Sequence, residues 1–531
     1  MPARASVPHR SAVPASLDVY LGHLGFRRQF SHAEGRAPSI GSTRPGGGGG
    51  RRTQRVCVSR SRMTATMPGA IPALLPCGPG HQFVLYADAC SGVAGAPHEG
   101  NFAAVNAVLR RLAPAPEFIL FPGDEIVGLV ADAGALRAQW RHWLDVEMAW
   151  LDRTATPLFH TTGNHTTYDP MSEAVFRDVL ALPRNGPPDQ EGLSYWVRRG
   201  DLLLVFIHTL WSGGGGEGHV ETAWLDRTLG EHSDVRHKLV LGHHPIHPVN
   251  GFSGSYQREV GPESAEPFWD VLVRHGVLAY LCSHILAFDV QTHQGVLQVT
   301  TAGAGTGHRM PEGIEYLHLV QAALDADGLR FQVLDTAGQV RERLVWPVRV
   351  LTAGWRPLVI GAQDAPVRGR LGPDETMALR FTGRVAPTGT SAVQTLLSAF
   401  DPGVLASPWI GLAGPRQRLI AVVGPEPGRS PHLWHGPALP AGAPFELELL
   451  LHAGMGPSGL LCRTSADAPW SSLRGASPWG LERLNWPALW NIGQDQAGPG
   501  DRAFLGEGLM AMVSRQPVPP CQLDGYRWRS H

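Results

Sequence analysis

Five short blocks place metal-capable or proton-capable side chains directly after apolar runs: Asp88-Ala89-Cys90, Gly123-Asp124-Glu125, Gly163-Asn164-His165, Gly242-His243-His244-Pro245 and Cys282-Ser283-His284. Carboxylate, amide oxygen and imidazole together suit Mn, Fe or Zn, and an Asp shared between two such ions holds them about 3.5–4 Å apart for in-line attack on phosphorus. Each block alone has an ordinary explanation, because Asp, Asn and His also cap turns and helices. Five in one region are much harder to dismiss.

Such blocks do chemistry only if the fold brings them to one edge. From about residue 80 to 348, short runs rich in Val, Leu, Ile and Phe alternate with amphipathic stretches, which reads as α/β. Strands are expected over 82–87, 117–121, 156–160, 201–208, 237–241, 277–282 and 296–301. Helices are expected over 102–112, 131–152, 172–182 (stopped by Pro183), 220–232 and 263–275. Ligands bind outside the carboxyl ends of strands in open α/β sheets, and the five blocks fall there. Turns at Asp325-Ala326-Asp327-Gly328 and Asp335-Thr336-Ala337-Gly338 predict an antiparallel meander over 314–348. The glycine-rich run from Gly303 to Gly307 follows a strand but leads into Met310-Pro311-Glu312-Gly313 rather than a helix, so it reads as a turn and not as a nucleotide cradle.

The order and spacing of these blocks resemble the calcineurin-like metallophosphoesterases, which include the purple acid phosphatases. "FPGDE", "TTGNH", "LGHHPIHP" and "TTAGAGTG" carry the resemblance, which covers roughly residues 80–345. It implies a four-layer αββα sandwich and metal-dependent hydrolysis of a phosphate ester by metal-activated water, with one or two Fe, Mn or Zn ions per chain. Carried over by residue, Asp124 is the bridging carboxylate, and Asn164, His243 and His284 complete the second metal position. His165 corresponds to the histidine that hydrogen-bonds the scissile phosphate or protonates the leaving alkoxide, a role suited to an imidazole near pH 7. At the first position Asp88 remains, but Cys90 and Leu286 stand where the family has histidines, and Val127 replaces the purple acid phosphatase tyrosine. Thr166 replaces the acidic residue that orients the block histidine, which leaves Asp169 as the candidate partner of His165.

Three readings of the first position stay open. Cys90 as a thiolate completes an unusual dinuclear site, since a metal deprotonates a coordinating thiol. Alternatively a single ion sits on Asp124, Asn164, His243 and His284. In the third reading Cys90 is a small buried residue in a fold that has lost catalysis and serves as a ligand-binding or scaffold protein. His244 reads as a support that hydrogen-bonds the neighbouring ligands rather than a ligand itself, His308 as a reserve ligand, His208 and His247 as structural, and His219 and His293 as surface or loop residues.

The remainder of the chain bounds these readings. With 45 basic and 46 acidic residues the formal charge is −1, so no nucleic-acid footprint spreads over the whole protein. The expected partner is a phosphorylated small molecule or phosphoester. Six scattered cysteines without a CxxC pair, and no apolar run long enough to span a bilayer, fit a bacterial-type, soluble, cytoplasmic protein. Residues 1–62 hold eleven arginines against Asp18 and Glu34 and read as a disordered basic leader, with Met63 or Met67 the expected start of translation. Residues 349–531 turn to Pro, Gly and Trp with alternating strands over 377–382, 394–399, 418–423 and 445–452, an all-β sandwich loosely similar to concanavalin-like domains. Its Trp470, Trp479, Trp486 and Trp490 suggest glycan binding, against the commoner fate of tryptophan in a sandwich, which is burial.

Overall fold

The computed structural model describes residues 69–517, apart from 214–217, 253–259, 307–314, 348–353, 359–368, 371–374, 387–392, 400–406, 425–430, 453–457, 476–484, 487–489 and 496–501. The reserve ligand His308, Trp479 and the basic leader lie outside the described residues.

Two six-stranded sheets carry the α/β part. The first is built from β1 (Gly80–Leu85), β2 (Phe118–Phe121) and β3 (Leu158–His160), which run parallel. The second holds β4 (Tyr195–Arg199), β5 (Leu202–Phe206), β6 (His237–Leu241), β7 (Ala279–Cys282), β8 (Phe288–His293) and β9 (Val296–Thr301), in the order β8-β9-β7-β6-β5-β4. Of these, β5, β6, β7 and β9 are parallel neighbours. The meander arrives as β10 (His318–Asp325), β11 (Gly328–Asp335) and β12 (Val340–Trp346), and β10 returns antiparallel against β1. Parallel strands are covered on both faces, which is why "FILF" in β2 and "LLLVF" in β5 are continuous apolar runs buried throughout.

Four of the five described helices start where their sequence says a helix can start. Pro97 opens α1 (Pro97–Leu109) and Pro262 opens α5 (Pro262–Arg274), because proline at the first helical position gives up only an N–H that had no partner. In α2 (Ala133–His142) the Asp132 side chain accepts from the Ala135 N–H, and in α3 (Pro170–Leu180) Asp169 and Ser172 form a reciprocal capping box. The fourth helix, α4, spans Thr222–Glu231.

Three expectations differ from the structure. The long helix over 131–152 ends its α geometry at His142 and continues as a five-residue π-turn, Trp143–Glu147, closed by Met148 N–H donating to the Trp143 carbonyl at 2.9 Å. Burial of both Trp140 and Trp143 goes with this change of pitch. Strand β4 falls outside the expected strands because it is a half-exposed edge bearing Arg198 and Arg199. Strand β8 does too, because its buried polar residues, Asp289 and Gln291, break the apolar signal.

The cores follow the layers. Phe83, Leu85, Phe118 and Leu120 of the first sheet share one cluster with Leu204, Phe206, Leu239 and Leu281 of the second. Helices α1, α2 and α3 bury Phe102, Trp140 and Phe176 in a separate cluster with Val84, Ile119 and Phe121, which point the other way on the first sheet. Helices α4 and α5 do the same for the second sheet through Leu225, Phe268 and Leu272.

Residues 356–517 form two further six-stranded sheets in which every pairing among the larger strands is antiparallel, with a common core of Leu379, Phe381, Leu412, Leu447 and Trp434. Ala378, Leu450, Leu461 and Trp470 instead join the core between the first two sheets. Asn250 fixes this junction: its amide nitrogen donates to Ser458 Oγ (2.9 Å) and the Leu473 carbonyl (3.0 Å), while its oxygen accepts from Gly475 N–H (2.7 Å). The edge strand β8 is covered from the same side, Thr292 N–H donating to Ser472 Oγ and Gln294 N–H to Ser471 Oγ, so its unpaired backbone is not left open. Trp470 is buried beneath the Arg463 guanidinium, and Trp490 is also buried, so neither presents a face for stacking on a sugar. No helix among the described residues is long and apolar enough to cross a membrane.

Candidate metal centre

The loops beyond the parallel strands are zipped together before any side chain is considered. Past β1 and β2 the backbone continues to pair, Asp88 N–H to the Gly123 carbonyl (3.2 Å) and Cys90 N–H to the Asp124 carbonyl (2.9 Å). The turn after β9 crosses to the other sheet, with Ala304 N–H donating to Ala87 and Thr306 N–H to Asp88, both at 2.9 Å. Asp88, Cys90, Asp124 and His284 all take left-handed backbone conformations, with φ of +60°, +41°, +58° and +66°. Residues with a Cβ pay roughly 1–2 kcal/mol each for such a conformation, so the surrounding contacts must hold them there. Gly163 is required by close approach: a Cβ on it would meet Asp124 Oδ1 at 2.1 Å.

Asp124, Asn164, His243 and His284 converge. His243 Nε2 lies 3.1 Å from Asp124 Oδ2 and 3.1 Å from Asn164 Oδ1, and His284 Nδ1 lies 3.0 Å from Asn164 Oδ1 and 3.2 Å from His243 Nε2. The His243 tautomer is set from behind, since Nδ1 meets the Pro122 carbonyl at 2.9 Å and must donate to it, leaving Nε2 turned inward. Ser283, absent from the expected site, bridges the same carbonyl and ring nitrogen at 2.5 and 2.9 Å. Asp88 joins from the other side. Its Oδ2 accepts from His284 N–H at 3.1 Å, and one carboxylate oxygen of Asp88, one of Asp124 and one His243 nitrogen lie within 4.8 Å of one another.

The charges in this buried group push against one another. Burial raises the Asp88 carboxyl above its usual range, and the neighbouring Asp124 adds to the rise against the pull of His243. Asp124 is the carboxylate that stays ionised: burial opposes its charge, but His243, His165 and His284 hold it well below the usual range. The reverse applies to His243, where burial disfavours the charged ring, yet Asp124 raises its pKa to about 9. Burial, with Asp124 and Asp88 alongside, pushes the Cys90 thiol up, so without a cation it stays protonated. Its sulfur nevertheless lies within 4.8 Å of ligand atoms of Asp124 and His165.

His165 is oriented by the backbone. Its Nδ1 donates to the Val127 carbonyl at 2.6 Å, its backbone N–H donates to Asp124 Oδ1 at 3.0 Å, and Nε2 faces Asp124 Oδ2 from 4.0 Å. The side chain is 30% exposed, so Nε2 can be reached. The expected partner Asp169 is committed elsewhere, capping α3, and Thr166 closes the 163–166 turn through Gly163. His244 is buried, takes the Thr209 hydroxyl at Nδ1 (2.7 Å) and stacks obliquely on His284 at 4.3 Å. With His243 and His284 it forms a third close group of ligand atoms.

The other histidines support the walls. His208 Nδ1 pairs with Thr162 Oγ1 at 2.7 Å, and burial lowers its pKa to about 3. His247 stacks on His293 at 3.5 Å against Trp269, so His293 packs at the end of β8 rather than standing on the surface. A buried pair that no sequence signal marks joins His160 Nδ1 to Glu125 Oε1 at 2.8 Å, enclosed by Trp140 and Trp143. Glu125 sits beside Asp124 in a named block, and its partner is covered by Trp140 from α2 and Trp143 from the π-turn.

The donor set fits a transition metal at the second position. Bonds of 2.0–2.2 Å to a tetrahedral ion put ligand atoms about 3.4 Å apart, close to the separations found here, and the donors are one carboxylate, one amide oxygen and two imidazoles. Asp88 and the Cys90 thiol on the other side of Asp124 make a poorer donor set, since neither is an imidazole.

No family model matches the chain, and no curated protein does. Solved structures with a likeness to it include a purple acid phosphatase from yellow lupin seeds, at 13% identity and TM-score 0.39 over 51% of this chain and 54% of that one. The inner membrane complex anchor of Plasmodium shares 14% identity over 51% of this chain and 90% of that one, at TM-score 0.36. A putative 5'-nucleotidase from Staphylococcus aureus shares 14% over 51% and 55%, at TM-score 0.32. The chain thus spans about half the length of the lupin phosphatase. At such scores these likenesses carry no weight for activity.

Proposed function

We propose that the chain hydrolyses a phosphate ester at a centre of one or two Fe, Mn or Zn ions held by Asp88, Asp124, Asn164, His243 and His284, with Cys90 completing the first position. The observation that carries this reading is the convergence of Asn164, His243 and His284 on the buried, ionised Asp124. A bound metal supplies Lewis acidity toward a phosphoryl oxygen and acidifies water. The residues do the rest. Asp124 and Asp88 provide negative charge that repels a phosphate unless a cation offsets it. His165, with Nδ1 fixed on the Val127 carbonyl, presents Nε2 to hydrogen-bond the phosphate or give a proton to the leaving alkoxide. His244 steadies His284 by ring contact. In this reading residues 80–348 form the αββα phosphoesterase unit, and the β-rich part from 349 onward buttresses it along β8.

The scaffold reading rests on a specific observation too, the thiol at Cys90 with Leu286 beside the site. Metal content per full chain separates the two, with Asp124→Ala as control, followed by turnover of p-nitrophenyl phosphate and bis(p-nitrophenyl) phosphate. About two ions above that control support the Cys90-containing dinuclear centre and about one above it supports the reduced centre. No metal above the control, with no turnover of either ester, overturns the enzyme.

A further inference from the structure

A second group of ligating side chains stands behind the loop that carries Cys90. Glu99 in the first turn of α1, His142 at the end of α2 and Glu147 at the end of the π-turn place one ligand atom each within 4.8 Å of one another. His142 Nε2 is 2.8 Å from Glu99 Oε1 and 3.5 Å from Glu147 Oε1. In a regular α-helix residues five apart lie on different faces, so the π-turn is what brings His142 and Glu147 together. The two carboxylates are held in place from the loop. Ser91 Oγ (2.7 Å) and Gly92 N–H (3.0 Å) both donate to Glu147 Oε1, and Gly95 N–H donates to Glu99 Oε2 at 2.6 Å.

One atom is left over. The Glu147 side chain is only 5% exposed, and its Oε2 is buried with no hydrogen-bond partner among the described residues, while Oε1 accepts from two donors and faces His142 from 3.5 Å. A buried carboxylate oxygen without a partner calls for water or a cation. Burial also raises the Glu147 carboxyl, with Glu99 adding to the rise against Ser91, Gly92 and His142.

We infer that Glu99, His142 and Glu147 form a divalent-cation site of the zinc class, separate from the Asp124 centre, that pins the loop carrying Cys90. Two carboxylates and one imidazole are ordinary zinc donors, and the 2.8 and 3.5 Å separations bracket the roughly 3.4 Å edge expected for bonds of 2.0–2.2 Å, with a fourth place left for water. Because Ser91 and Gly92 follow Cys90 directly and both bond Glu147, a cation there fixes the backbone of the candidate first position without touching it.

The site is tested with Zn2+ alone on metal-stripped full chain, by competition with a chromophoric chelator and by anomalous scattering at the zinc edge from crystals grown with ZnCl2. Wild type should show a zinc peak among these three side chains. His142→Gln should lose one zinc equivalent or weaken it at least tenfold while keeping the zinc at Asp124. Glu99→Gln, at a partly exposed residue, serves if His142→Gln does not fold. An Asp124→Ala chain that still takes up one zinc supports the inference even if the phosphoesterase reading fails. The same zinc count and affinity in wild type and both variants, or density for water alone, overturns it.

Discussion

In the metal-stripped chain the buried Asp124–His243 pair should make stability fall as pH rises from 6.5 to 9. His243 is fully buried, and its pKa is raised from the ordinary 6.5 to about 9, burial opposing and Asp124 outweighing it. A histidine with a raised folded pKa contributes stability that is complete below the unfolded value and is lost as pH climbs through the folded one. The rise of about 2.5 units is worth about 3 kcal/mol at 1.36 kcal/mol per unit. Histidines buried neutral, such as His208, His318 and His452, have lowered pKa values and act in the opposite sense, below pH 6.5. Buried thiols such as Cys282 add a fall only above about pH 8.5, where unfolded thiols ionise. Asp88 and Asp289, whose carboxyls burial raises to about 7, also lose stability with rising pH, but only up to about that value. The clean window is therefore about pH 7.5 to 8.5. Urea unfolding followed by circular dichroism, with a chelator present, should lose about 1 kcal/mol across it, and His243→Gln should be less stable and flat over the same range. Added Zn2+ should reverse the slope, because binding requires neutral His243 and displaces its proton. A wild-type profile as flat as that of His243→Gln would refute the paired, charged His243 and with it the electrostatics assigned to the centre.

Three further outcomes follow from the same geometry. Replacing His165 with Ala should lower kcat for phosphate esters by about 10²–10⁴-fold with metal content unchanged, most severely for esters with poor leaving groups, as steady-state kinetics across a leaving-group series will show. Gly163→Ala drives a methyl to 2.1 Å from Asp124 Oδ1, and should destabilise the fold by about 1–3 kcal/mol in urea unfolding and abolish metal uptake at the Asp124 centre. Cys90→Ala should lower the metal count by one if the thiolate is a ligand and leave it unchanged otherwise, whereas Cys90→His should raise affinity for the first ion in equilibrium dialysis.

Much of the site was legible because its chemistry sits in contiguous blocks at strand ends. Gly163-Asn164-His165 announces itself: a small residue where a carboxylate must approach, an amide oxygen, and an imidazole. The strand over 296–301 and the meander turns at Asp325 and Asp335 were readable for a similar reason, since apolar runs and turn residues are local signals.

The partner of His165 was not legible, because a carbonyl has no side-chain signature and any residue at 127 would supply one. The role of Asp169 was misread because a helix cap and an acidic partner look alike in a single sequence. Strand β8 hid behind Asp289 and Gln291, polar residues that the later β-rich part and the loop before it make tolerable by covering that edge. The Glu99, His142 and Glu147 group was invisible, because it depends on a local change from α to π pitch.

By itself, then, the sequence determined which donors exist and that they follow strands, because residue type and alternation are written along the chain. Only the tertiary structure decided that Asp124 is the ionised carboxylate and Asp88 the one pushed up. That division depends on burial and on the three histidines that surround Asp124: His165, 41 positions on, comes from the neighbouring strand end of the same sheet, while His243 and His284, up to 160 positions on, meet it only when the two sheets pack.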